Sequence, residues 1–255
     1  MAAVQKLEDS GAHLIGKTSS SPSSGPPGYG KPYDWIDLTL GLDKKKYIRS
    51  FAQDHGLFGN RFTSGLMDMK GMSPADTFGL DTLGLLAHDV KDWVAAGKVL
   101  SPSIPPEGYP KKIYVIHDTN LIKNANMKSL ITDILHGMMM QIGSKSEVLD
   151  LQQTWIQSKP KDLDTNLDKT INTIYKALIA NKSKPSEFKK AQKDQKTFAA
   201  WLQTHILKVD ADTCSDSLVI YAAGAASSRE KTMFGRLAPL DGLPEAVFPS
   251  KQTLP

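Results

Sequence analysis

Cysteine is almost absent from this chain. Cys214 stands alone among 255 residues, so no intrachain disulfide can form and no cysteine pair can hold a structural zinc. Long apolar runs are missing as well, and no window reaches the length that a membrane-spanning helix needs. Met1 to Lys17 has no apolar stretch and carries Glu8 and Asp9, which argues against a secretory signal. Cytoplasmic or nuclear placement is expected, or a host-cell interior for a viral protein. Arginine is scarce. Neither a Gly-x-Ser-x-Gly elbow nor a His-Glu-x-x-His pair occurs, and no nucleophile constellation stands out, so the sequence names no catalytic residue.

What the chain does have is lysine and apolar helix pattern. Hydrophobic residues make up 40% and charged residues 23%, enough for a real core, and the net charge of +4 suits contact with phosphates without demanding it. Residues 1–31 read as a flexible Ser/Pro/Gly arm, since TSSSPSSGPPGYGKP offers little to bury against its ordering entropy. Residues 32–238 read as a helical domain with a possible sub-boundary at 101–112 (SPSIPPEGYPKK), followed by an irregular tail over 239–255.

Asp43 is placed to cap a short helix through Tyr47, Ile48 and Phe51 that ends at Gly56. Ser73-Pro74 opens a second, running through Phe78, Leu83, Leu86, Val90 and Trp93 to Gly97, with Gly79 and Gly84 each weakening it by roughly 1 kcal/mol. Met127, Leu130, Ile131, Ile134, Leu135, Met138, Met139 and Ile142 form one continuous helical stripe over Asn126 to Ile142. Ser144-x-x-Glu147 has the form of a capping box and predicts a helix carrying Val148, Leu151 and Trp155. Further helices follow Asp164 (Leu167, Ile171, Ile174, Leu178) and Pro185 (Phe188, Ala191, Phe198, Leu202, Ile206). Lys112–His117 and Ser217–Ala223 read as strands that could pair. The expected fold class is mainly α: a helical bundle with a minor two-stranded β element.

Gly25-Pro26-Pro27-Gly28-Tyr29-Gly30-Lys31-Pro32 falls short of a phosphate loop, because proline stands where a magnesium-binding hydroxyl is needed. Pro26, Pro27 and Tyr29 instead form a Pro-Pro-x-Tyr ligand for a WW-domain partner. On a basic protein of this size the motif resembles the late-domain arm of viral matrix proteins. Leu85-Leu86-Ala87-His88-Asp89 resembles the segment of metal-dependent HD-type phosphohydrolases in which His and Asp ligate a metal. That resemblance implies His88 and Asp89 as ligands, His55 as a first ligand, and Asp133 or Asp150 as a last. Ile116-His117-Asp118-Thr119-Asn120 is similar to the strand-Asp-Thr-Asn start of PIN-type nucleases, with Asp210, Asp212 and Asp216 as a second carboxylate cluster; otherwise Asp118 or Thr119 is a helix cap.

Lys182, Lys184, Lys189, Lys190, Lys193 and Lys196 crowd one window and suit non-specific contact with RNA or an anionic membrane surface. A charged stripe opposite an apolar one is also the ordinary solvated side of a helix. The leading expectation is therefore a non-enzymatic structural or assembly protein of viral matrix or nucleocapsid type, self-associating and without a cofactor. The alternative is an HD-type phosphohydrolase using His88 and Asp89.

Overall fold

The computed structural model describes residues 2–16, 37–43, 47–71, 80–101, 108–116, 125–180, 184–221 and 234–249, the side chains of 47, 125–128 and 130 apart. The chain forms two compact units, Met1–Ile104 with Gly242–Pro255, and Pro105–Asp241. Among the described residues no helix is long and apolar enough to cross a membrane.

The first unit is built on a four-stranded antiparallel sheet. Its strands are β1 (Leu38–Leu42), β2 (Phe58–Arg61), β3 (Leu83–Ala87) and β9 (Glu245–Val247), in the order β1-β3-β2-β9. Helices α1 (Ala2–Asp9), α2 (Tyr47–His55) and α3 (Val90–Leu100) belong to the same unit. Alternation along β3 divides its side chains between two cores. Leu83 and Leu85 join Ala3, Met67, Ala96 and Leu100, while Leu86 joins Ile48, Ala52 and Leu57. A strand covered on both faces needs apolar residues at every position, and all five of β3 are buried. Gly84 is required by close approach: a Cβ there would lie 2.4 Å from the Asn60 carbonyl oxygen of β2. The expected helix from Ser73 to Gly97 is thus a strand followed by α3, with 72–79 outside the described residues.

The second unit holds a three-stranded parallel sheet in the order β5-β4-β8, made of β4 (Lys112–Ile116), β5 (Lys145–Leu149) and β8 (Ser217–Ile220). Helix α4 (Ala125–Ile142) is the crossover from β4 to β5, as a parallel pair demands. Helices α5 (Leu151–Ser158), α6 (Leu167–Ile179), α7 (Pro185–His205) and α8 (Phe234–Asp241) follow, with a short ribbon of β6 (Val209–Asp210) and β7 (Cys214–Ser215) before β8. An aromatic core joins α5 to α7: Trp155 meets Trp201 edge-on at 4.7 Å between ring centroids, and Phe198 lies 5.9 Å from Trp155. Both indoles are satisfied, Trp155 Nε1 donating to the Asp164 carbonyl and Trp201 Nε1 to Ser158 Oγ, each at 2.9 Å.

The architecture is therefore mixed α/β with a parallel sheet, and the expectation of a mainly helical bundle is corrected. The helices read from continuous stripes are present: α4, α6 and α7. Ser144-x-x-Glu147 does not cap a helix; the segment is β5, and Asp150 caps α5 by accepting from Gln153 N at 2.8 Å. The two expected strands do pair, in parallel, as neighbours within a larger sheet.

Candidate functional site

Only four arginines occur in the chain, and two of them, Arg49 and Arg61, are buried in the first unit at 3% and 0% exposure. Lysine cannot replace arginine where a dry, multidentate ion pair is needed, because the guanidinium keeps its charge and presents a planar fork of donors. Asp43, fully buried at the end of β1, is the centre of the arrangement. Its Oδ1 accepts from Ile48 N at 3.1 Å, tying it to the first turn of α2, and its Oδ2 accepts from Arg49 Nε at 2.8 Å. Arg61 Nη1 approaches the same Oδ2 at 3.8 Å. Arg49 Nη1 also reaches Glu245 Oε2 at 2.5 Å, so the network extends from α2 to β9. Arg61 is held from its other end by the Leu243 carbonyl, 3.1 Å from Nε, and by Ser64 Oγ, 3.0 Å from Nη2.

Burial first, and then the neighbouring Arg49 charge, lower the Arg61 pKa to about 10, with Asp43, Glu245 and Asp81 opposing the fall in part. Ion pairs and hydrogen bonds join the members of the network. What it does is fix the start of α2 against β1, β2 and β9. In the sequence this start follows directly on Lys44-Lys45-Lys46, residues that lie outside the described set. From the sequence Asp43 reads only as a helix cap. The available signal was arginine, scarce in a lysine-rich chain, at two positions of one short segment.

The residues proposed from sequence as metal ligands do not assemble. Asp89 is the N-cap of α3, its Oδ1 accepting from Lys91 N at 2.6 Å, and His88 is exposed beside it in the turn after β3. His55 ends α2, stacked on Phe51 at 3.9 Å with Nδ1 2.9 Å from the Phe51 carbonyl. Asp150 is occupied as the α5 cap, and Asp133 is exposed on α4. Among the described residues no group of three or more His, Cys, Asp or Glu side chains could hold a metal ion. The HD-type reading is corrected: the His-Asp pair sits at a strand-to-helix junction rather than along one helix.

Asp210 is likewise a turn residue. It accepts from Asp212 N, Thr213 N and Thr213 Oγ1 at 2.9–3.0 Å, and the Thr213 hydroxyl bond leads the contacts that hold its carboxyl below the usual range. His117, Asp118 and Thr119 lie outside the described residues, as do Pro26, Pro27, Tyr29 and Lys182. Lys184, Lys189, Lys190, Lys193 and Lys196 are exposed at the start of α7 and along it, with Lys190 paired to Asp194. Lys196 borders an open groove of about 490 Å³ in the second unit, which Ser158, Thr197, Trp201 and His205 also line.

No family model matches the sequence. Solved structures match the fold. The chain superposes on the crystal structure of an amidase with a TM-score of 0.57 at 14% identity, covering 85% of this chain and 56% of that one. A subunit of the glutamyl-tRNA(Gln) amidotransferase of Thermotoga maritima gives a TM-score of 0.54 at 16% identity, covering 86% of this chain and 56% of that one. The urea amidolyase of K. lactis gives 0.55 at 16% identity, over 84% of this chain and 15% of that one. The chain thus spans little more than half the length of the amidase and of the amidotransferase chain. These likenesses overturn the expectation of a viral matrix or nucleocapsid protein.

Proposed function

We propose that this chain works on the carbon–nitrogen bond of amides or ureas, as a hydrolase. The observation that carries the reading is the fold likeness to the amidase, which extends over 85% of the chain and so includes both units. Two other neighbours, the urea amidolyase and the amidotransferase, are named for chemistry at the same class of bond.

A second reading, amide binding without hydrolysis, is favoured by the hydroxyl and imidazole groups in view. Ser144, Ser158 and Ser217 each donate to a backbone carbonyl, and the Nδ1 atoms of His55 and His205 face carbonyls of their own helices. None of these five is arranged as a nucleophile beside a base.

One experiment separates the readings. Purified protein is incubated with a panel of primary amides, ureas and carbamoyl compounds while ammonia release and thermal stabilisation are recorded. Ammonia release proportional to protein concentration supports hydrolysis. Saturable stabilisation without release supports binding alone, and neither response from any member sinks both.

A further inference from the structure

We infer that the outer edge of β5 is a homodimer interface, joining the parallel sheets of two copies of this chain through an antiparallel β5–β5 contact about a two-fold axis. The inference is independent of the proposed reaction. In the order β5-β4-β8, strand β5 lies at the edge, and among the described residues no strand pairs with its outer side. An open edge is a template for a further strand unless something protects it. Here Lys145, Ser146, Glu147 and Val148 are all exposed, with Val148 at 73%.

The main-chain direction fixes the register. Lys145 N donates inward to the Lys111 carbonyl of the segment leading into β4, at 3.4 Å. Along a strand successive residues turn their N–H and C=O groups to opposite sides, so Ser146 and Val148 direct theirs outward, away from β4. A two-fold axis through Ser146 then makes Ser146 and its copy a hydrogen-bonded pair. Lys145 falls opposite the copy's Glu147, and Glu147 opposite the copy's Lys145, as pairs without main-chain bonds, whose Cα atoms approach to about 4.5 Å. The two charges that would repel a strand of like sign become two cross-strand ion pairs in this register alone. Self-complementarity of this kind is what a two-fold interface needs.

An apolar surface adjoins the edge. Helix α4 leads into β5 and packs against it, yet none of its described side chains is buried. Ile131, Ile134, Leu135, Met138, Met139 and Ile142 are half-buried and Met140 is 73% exposed. A helix of 18 residues offers a stripe roughly 27 Å long, which extends the contact well beyond four strand residues. Methionine suits such a surface, because its flexible side chain adapts to a neighbour.

The test is sedimentation or light-scattering mass of the full chain across a range from about 0.5 to 50 µM, with three variants. The wild type is expected to be dimeric. Glu147→Lys sets lysine against lysine twice and is expected to weaken the dimer about tenfold or more, while Lys145→Glu with Glu147→Lys restores it. Ser146→Pro, which removes the outward N–H, is expected to give a monomer with an unchanged far-UV spectrum. A wild type that stays monomeric at the highest concentration overturns the inference, as does a dimer that ignores both Glu147→Lys and Ser146→Pro.

Discussion

Arg49 and Glu245, 196 positions apart in the sequence, meet at 2.5 Å in the first unit, while the same guanidinium holds Asp43 at 2.8 Å. One side chain therefore joins the start of α2 to the last described strand. Because Asp43 is fully buried, its charge is tolerable only while its partners stay in place.

Arg49→Met leaves Asp43, among the described residues, with the more distant Arg61 as its cation, and is expected to destabilise the first unit by about 3–5 kcal/mol. Glu245 is more exposed, at 14%, so Glu245→Gln should cost less, about 1–2 kcal/mol. Urea titrations of the three proteins, followed by tryptophan fluorescence, give the ordering directly. Equal costs would show that the Arg49–Asp43 contact adds nothing beyond Arg49–Glu245 and would contradict the central position of Asp43.

Gly84→Ala tests the contact between β3 and β2. The added methyl would meet the Asn60 carbonyl at 2.4 Å, and a backbone atom cannot swing aside as a side chain can. The expected cost is about 1–3 kcal/mol, from strands forced apart. Gly97→Ala in α3, where a Cβ meets nothing within 4 Å, should be neutral or stabilising by up to about 1 kcal/mol. A reversed order in thermal melts would contradict the strand assignment.

Asp241, the last residue of α8, should make stability depend on pH. Burial raises its carboxyl to about 7, and the Gln203 Nε2 donor at 2.9 Å opposes the rise only in part. The folded pKa lies above the unfolded one, so the native state binds the proton more tightly. Stability from this group is present at low pH and lost as pH rises from about 4 through 7. The side chain is partly solvated, which cuts the effect to about 1–2 kcal/mol. Asp241→Asn should remove this component, visible as a flatter dependence of melting temperature on pH between 5 and 8.

These outcomes concern features that were unevenly visible in the sequence. Helices α4, α6 and α7 were legible because each carries its own stripe of apolar residues, a signal contained within one segment. Strand β4 was legible from Ile113, Tyr114, Val115 and Ile116. Leu83-Gly84-Leu85-Leu86-Ala87 misled, because burial on both faces removes alternation, and its leucines fit the helical spacing that continues into α3. Lys145-Ser146-Glu147 misled for the opposite reason: its local signal favours a cap, and pairing with β4 overrides it. The charge network depends on contacts between distant positions, which no periodicity reveals. His88-Asp89 looked like a ligand pair, whereas Asp89 serves as a helix cap.

The most direct test of the proposed chemistry is hydrolysis in water enriched in oxygen-18, with mass spectrometry of the acid formed from whichever amide gives ammonia. One labelled oxygen in each product molecule, absent when protein is omitted, is the result expected of a chain that directs water onto an amide carbon. Ammonia or acid at no more than the protein-free rate, across every amide and urea tried, would contradict it.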